Sequence, residues 1–182
     1  MTATATVSPT ASTTPAGLSI DALAQLDATE LGHLYEQGTV PTSLAVLDGA
    51  PRGRMLASAG PLGRGPVAAA VRRFSASKVF PWAGKSFTSA STTEGSGVNR
   101  VRLGGTRELF PFATRVDASA VDGRPAIILD YDQPKNPALI RRIHDELREV
   151  SPGLFLGPAM WKAGDRKQLL LWFAIDQTQA TR

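Results

Sequence analysis

The 182-residue chain contains no cysteine. That excludes disulfides, thiolate metal sites and a cysteine nucleophile. Histidine is nearly as scarce, at His33 and His144 only, so a histidine-rich metal centre is not expected, and no cluster of carboxylates stands out to replace it. No apolar run approaches the length of a membrane span. The G-x-S-x-G elbow, the P-loop and H-E-x-x-H are all missing. GRGPV at 63–67 is glycine-rich but lacks a following Lys-Ser/Thr and a preceding strand, and no G-x-G-x-x-G stands between a strand and a helix. Nothing argues for nucleotide, flavin or metal, so no cofactor is expected. Residues 1–17, MTATATVSPTASTTPAG, lack the apolar bulk to order themselves. They also lack the basic and apolar regions of a secretory signal. They read as a disordered tail ahead of one cytoplasmic domain over 18–182.

What is present suits a single globular core. Apolar residues make up 42% of the chain, a typical globular share. Arg outnumbers Lys by 15 to 5, and Ala and Gly are abundant, a bias that points to a bacterial genome rich in GC. Charge is unevenly placed. Residues 1–51 hold five acids and no Lys or Arg, 52–107 hold ten Lys/Arg and only Glu94, and 108–182 balance at ten of each. The basic middle third either draws an anionic partner, such as a carboxylate ligand, an acyl carrier or nucleic acid, or forms a solvated surface matched to the acidic first third.

Ser19 is placed to cap a turn carrying Ile20, Leu23 and Leu26, and Asp27 stands three residues before Glu30, the capping-box spacing. Leu31, Leu34 and Tyr35 continue the apolar face until Gly38 and Pro41, giving an amphipathic helix with a break near Asp27. Asp48-Gly49 marks a turn before a first strand around Arg52–Ala57. Residues 66–80 read as a helix with Pro66 at its first position, and 88–97 as a Ser/Thr/Gly-rich loop. VNRVRL at 98–103 reads as a strand. ELFPFATRV (108–116) and RPAIILDY (124–131) flank Asp122-Gly123 as a hairpin. Asn136 and Pro137 open a helix over 137–150 whose apolar face is Leu139, Ile140, Ile143, Leu147 and Val150. GLFLGPAMWK and RKQLLLWFAI pair across Ala163-Gly164-Asp165 as a terminal hairpin that carries Trp161 and Trp172. Short turns between successive strands imply an antiparallel sheet. The fold class is mainly β (α+β): an antiparallel barrel or half-barrel of about 6–8 strands, with an N-terminal helix, a middle helix and one before the C-terminal hairpin.

Four constellations could carry chemistry. In Trp82-Ala83-Gly84-Lys85-Ser86-Phe87, Lys85 and Phe87 share one strand face, and an aromatic wall with a cation suits a ligand with an apolar body and a carboxylate head. The alternative places Trp82 and Phe87 in the core and Lys85 on the surface. Asp130-Tyr131-Asp132 at a strand end could supply a general base and a proton donor, or be turn chemistry with Asn136 as a helix cap. His144-Asp145-Glu146-Leu147-Arg148 on a helix puts Asp145 and Glu146 on the outer side, a salt-bridged surface. His144 keeps a catalytic reading because its ordinary pKa lies near neutrality. Arg100, Arg102 and Arg115 with Phe110 and Phe112 could clamp a carboxylate or phosphate. Without an RNP motif or a Lys-rich stripe, nucleic acid is not the expected partner.

The Trp82–Phe87 phrase resembles the W-x-G-K-x-F segment of small bacterial calycin-like domains, the broad lipocalin and fatty-acid-binding-protein group. Asp130-Tyr131-Asp132 after a strand is similar to theirs too. The resemblance spans residues 80–175. The G-x-W near the N-terminus of lipocalins is absent, and the 137–150 helix would interrupt their meander. It implies a pocketed barrel that binds a ligand, and no particular reaction.

The expectation is therefore a small barrel that binds an apolar or amphipathic, anionic small molecule as a carrier or sensor. Trp82, Lys85, Phe87, Arg100, Arg102, Phe110, Phe112, Arg115, Trp161 and Trp172 are its candidate ligand contacts. The alternative is a cofactor-free cyclase, isomerase or dehydratase of specialised metabolism, with Asp130, Tyr131, Asp132 or His144 moving a proton. A third class, a regulatory or interaction protein, would show a filled barrel and an exposed apolar patch. The apolar strand 167–175 would allow an edge-to-edge homodimer.

Overall fold

The computed structural model describes residues 18–58, 82–102 and 104–181. Eight antiparallel strands close into a barrel in simple sequence order: β1 (Ala50–Ser58), β2 (Trp82–Ser89), β3 (Glu94–Arg102), β4 (Thr106–Ala118), β5 (Pro125–Asp130), β6 (Ile143–Ser151), β7 (Leu154–Ala163) and β8 (Arg166–Thr181). The expected mainly-β barrel with few helices is therefore the fold. Every strand has two neighbours, β8 included, which pairs with β7 and returns to β1. Over 171–175 β8 is paired on both sides, and over 166–169 its described partner is β7. The expected disordered tail at 1–17 and middle helix at 66–80 lie outside the described residues.

Two short helices precede the barrel, α1 (Ile20–Leu23) and α2 (Ala28–Gln37). Ser19 caps α1. Asp27 caps α2 in a complete capping box with Glu30, which is why the helical stretch breaks at Asp27. Their apolar faces, through Ile20, Leu23, Leu31 and Tyr35, pack on outward residues of β1, β7 and β8 such as Leu56, Leu156 and Trp172. A 3-10 turn at Leu44–Leu47 feeds Leu44 and Leu47 into a second apolar cluster inside the barrel with Phe87, Phe112, Phe155 and Ile175. One end of the barrel is thus filled. The other end is bounded by the starts of β2, β4, β6 and β8.

Two sequence expectations fail. The 88–97 segment is not one loop, because β2 runs to Ser89 and β3 begins at Glu94. Its glycines serve close packing: a Cβ at Gly97 would lie 2.5 Å from the Phe112 ring. Residues 137–150 are not a helix but a 3-10 turn at Ile140–Arg142 followed by β6. Asn136 does not cap a helix either. It is buried and donates to the Pro111 and Tyr131 carbonyls at 2.7 and 2.8 Å. The apolar spacing of 140, 143, 147 and 150 suits a helix, but β6 fills the place between β5 and β7 without which the barrel stays open. Barrel closure satisfies backbone groups on both sides and overrides local propensity.

Strands β6 and β7 approach most closely at Gly157, where a Cβ would fall 1.7 Å from the Glu146 carbonyl oxygen. Gly157→Ala is therefore expected to cost at least about 3 kcal/mol, read as a drop in the urea midpoint. An unchanged midpoint would show that the two strands can part there without cost.

Candidate functional site

Local backbone irregularities aim the side chains of the site. Trp82 and Lys85 are three residues apart and on a regular strand would face opposite sides. Gly84 has φ +125°, and the β2–β3 register shifts between Trp82 and Gly84. This bulge turns both side chains inward. Gly84 also meets Gly53 of β1 so closely that a Cβ there would lie 2.7 Å from the Gly53 nitrogen. A second bulge lies opposite, where β3 and β4 shift between Val98 and Asn99. Phe110, the extra residue there, is the one non-glycine with positive φ among the described residues, at 58°. It turns its ring toward the cavity.

That cavity, of about 260 Å³, lies inside the open end of the barrel. Its walls include Trp82, Val101, Phe110, Ile143, Leu171 and Phe173, and its floor is polar. Lys85 is buried there and donates to Asn99 Oδ1 at 3.0 Å, to Asp145 Oδ2 at 2.9 Å and to the Tyr131 hydroxyl. Tyr131 donates to Asp145 Oδ2 at 3.0 Å and accepts from Asn99 Nδ2 at 3.0 Å. Trp82 Nε1 donates to Asn99 Oδ1 at 3.0 Å. Four rings surround the ammonium, with centroids 5.1 to 5.5 Å from Nζ: Trp82, Phe112, Tyr131 and Phe173. Each of the three N–H bonds of Lys85 thus has a partner. Asp145 has one oxygen to spare: Oδ1 is buried, accepts no hydrogen bond and belongs to a residue that lines the cavity.

Burial pushes the Lys85 pKa down from its ordinary value, and Asp145 offsets only part of that. Burial and the neighbouring Asp145 carboxylate hold the Tyr131 pKa well above its ordinary value. Tyr131 therefore stays a phenol and a donor.

Some candidate residues meet here and others do not. Trp82, Lys85, Phe110 and Tyr131 line the cavity. Phe112 faces the floor from the filled side, 5.2 Å from the Tyr131 ring, and Phe87 lies deeper, 5.5 Å from Phe112. Arg100 turns away to donate to the Ala50 and Pro51 carbonyls. Arg102 is exposed on β3. Asp130 is on the outside of the barrel between Arg115 and Lys162, at 3.4 and 3.2 Å. Burial alone would raise its pKa, but the Asp132 N–H, Lys162 and Arg115 together hold it below the ordinary value. Asp132 is exposed and paired with Arg141 at 2.6 Å. Trp161 stacks under the Arg142 guanidinium at 4.6 Å. Trp172 is buried against Tyr35 beneath α2, 5.5 Å between centroids.

The expected exposure of Asp145 and Glu146 is overturned: both are buried, on opposite faces of β6. Asp145 points inward. On the outer face Glu146 accepts from Tyr35 at 2.7 Å and from the Ala120 N–H at 2.7 Å, and lies 2.9 Å from His144 Nε2. Arg148, fully buried, forks onto both oxygens of Asp122 at 2.7 and 2.8 Å and stacks 4.5 Å from the Tyr35 ring. His144 thus belongs to a network that fastens α2 and the 119–124 turn to the barrel. Asp145 and Asn99 are the site residues that sequence reasoning missed.

No family model matches the chain, and no curated protein or solved structure matches it. Among the described residues no helix is long and apolar enough to cross a membrane, and no three His, Asp or Glu converge to hold a metal ion.

Two outcomes are expected. Lys85→Met leaves Asp145 charged and buried without its counter-ion, a loss of about 3–5 kcal/mol. Adding Asp145→Leu should restore most of it in urea unfolding, and equal loss in the single and double variants would deny the coupling. The second concerns acid. The bonds from Arg148 bring the Asp122 pKa down to about 2, and against the opposing effect of burial the bonds from His144 and Ser119 hold Glu146 below its ordinary value. Both folded-state values lie below the unfolded ones, so their stabilisation is present above about pH 4.5 and is lost as pH falls toward 2. Calorimetric melting temperatures should fall across that window, and Asp122→Asn should flatten part of the slope.

Proposed function

We propose that the barrel binds a small, largely apolar molecule carrying a hydrogen-bond donor, and holds that donor against Asp145 Oδ1. One observation carries the reading: a buried carboxylate oxygen with no partner at the floor of an apolar cavity. An unsatisfied buried acceptor costs about 1–3 kcal/mol, and native proteins leave few of them. A hydroxyl or N–H of a ligand entering the cavity removes that cost. The cavity size suits a compact ligand.

The ligand's polarity differs from the anionic one expected from sequence. Lys85 and Asp145 are together neutral, and the Lys85 N–H bonds are all directed at protein atoms. A ligand carboxylate would face Asp145 at close range. A neutral donor fits better. An antiparallel barrel filled at one end and hollow at the other supports the calycin-like reading of residues 18–182 as a ligand-binding domain. The hollow end counts against a purely regulatory or interaction protein. A buried carboxylate opposite an aromatic wall favours, as a second reading, the cofactor-free enzyme.

The test is titration calorimetry with three matched probes: 4-phenylbutan-1-ol, butylbenzene and 4-phenylbutanoate. The alcohol is expected to bind at least about tenfold more tightly than the hydrocarbon, and the carboxylate most weakly. Asp145→Leu should erase the preference for the alcohol. Tightest binding of the carboxylate would overturn the reading.

A further inference from the structure

We propose that Asp145 is a general base and that the cavity is an active site for proton shifts on a neutral, enolisable carbonyl compound. This rests on the cavity being a ligand site, as argued above, and goes beyond it by assigning a reaction.

The bonding pattern at the floor supports this. Asp145 Oδ2 accepts from Lys85 and Tyr131, which fixes the carboxylate, while Oδ1, on a residue that lines the cavity, accepts no hydrogen bond. Asn99 in turn fixes both Lys85 and Tyr131. The floor therefore presents one free acceptor and, among these four side chains, no donor that is not already engaged. A positioned base in an apolar pocket suits general-base catalysis.

Charge bookkeeping gives Lys85 a role. Before transfer the ammonium and carboxylate balance. When Oδ1 takes a proton from the carbon next to the substrate carbonyl, the C–H bond breaks and its electron pair forms the C=C of an enolate, whose oxygen takes the negative charge. Asp145 is now a neutral acid, and the Lys85 ammonium becomes the counter-charge of the enolate. Where the substrate carries a C=C in the β,γ position the anion is a dienolate, and returning the same proton from Oδ1 to its γ carbon moves the double bond into conjugation and completes an isomerisation. Atoms and electrons balance within one substrate, and no second reactant enters. In such a compound the acidified C–H beside the carbonyl takes the place of the donor at Oδ1. Lys85, Tyr131 and Asn99 act as positioning residues, and Trp82, Phe110 and Phe173 supply the apolar walls.

The test uses 5-nitrobenzisoxazole, a neutral bicyclic probe that a base opens in one step. The C3–H proton goes to the base, the N–O bond breaks, and a coloured nitrophenolate forms. 6-Nitrobenzotriazole, a non-reacting analogue with an N–H donor, reports binding by quenching tryptophan fluorescence. The full chain is expected to bind the analogue and to open the probe with saturation, at least about 100-fold faster than acetate at equal concentration. Asp145→Asn should bind the analogue and lose the turnover. Should the unmatched Lys85 unfold that variant, Lys85→Met with Asp145→Asn supplies a neutral floor and must be equally inactive. Binding of the analogue without turnover, or turnover that survives in the Asn variant, overturns the base assignment and leaves the binding reading standing. No binding of the analogue overturns both.

Discussion

The buried pairing of Lys85 with Asp145 is the constraint around which the barrel interior is arranged. Two charges removed from water lose several kcal/mol of hydration each. That loss is offset by partners for every polar atom of the pair except Asp145 Oδ1. Asn99 and Tyr131 answer the ammonium, and four aromatic rings surround it. Apolar side chains then fill the barrel on one side of this layer only. Below it Phe87, Phe112, Phe155 and Ile175 pack with Leu44 and Leu47. Above it the side chains line a hollow. The polar layer thus divides a filled end from an open one, and the cavity owes its position to the layer.

Strand β6 carries this division to the outside of the molecule. Its inward residues are Ile143, Asp145 and Leu147, and its outward ones are His144, Glu146 and Arg148. On most barrels an outward Glu or Arg meets solvent. Here α2 and the 119–124 turn cover that face, and the outer acids and bases must be paired as thoroughly as the inner ones. Arg148 satisfies three backbone carbonyls besides the Asp122 carboxylate: those of Pro125, Arg124 and Tyr35. The helices are therefore attached by a polar clamp as well as by apolar packing. The strand that holds Asp145 in place is itself clamped from outside.

How much of this was legible in the sequence follows from how each segment is buried. The β4–β5 and β7–β8 hairpins were legible because their turns carry Asp122-Gly123 and Ala163-Gly164-Asp165. The break between α1 and α2 was legible because the Asp27–Glu30 capping box is local. Lys85 and Phe87 on one face were legible because β2 beyond Gly84 is regular. Strand β6 was not. It is buried on both faces, so IHDELREV shows no alternation between apolar and polar residues. Its Ile143, Leu147 and Val150 fall by chance at helical spacing. A helix over 137–150 would place Asp145 on the solvent side, which leaves Asp130, Tyr131, Asp132 and His144 as the candidates for moving a proton. Asp130 and Asp132 sit at a strand end as expected, yet they face outward and are spent on Lys162, Arg115 and Arg141. Tyr131, between them, points inward by simple alternation and lines the cavity.

The two bulges explain why the open end has aromatic walls at all. A regular β2 would carry either Trp82 or Lys85 inward, not both. The shift at Gly84 admits both, and it is possible because Gly53 opposite leaves room for the strands to touch. The shift beside Asn99 does the same for Phe110, at the cost of a positive φ that a phenylalanine adopts only under constraint. Backbone strain of this kind persists where the surroundings over-determine it, and here it brings rings to a cavity whose only polar demand is one carboxylate oxygen. A barrel shaped for stability alone would have filled that end with the same residues it uses at the other. Two departures from regular strand geometry thus bring aromatic rings around a hollow whose lining includes the one residue with an unsatisfied carboxylate oxygen, and the proposed ligand is placed at this end for that reason.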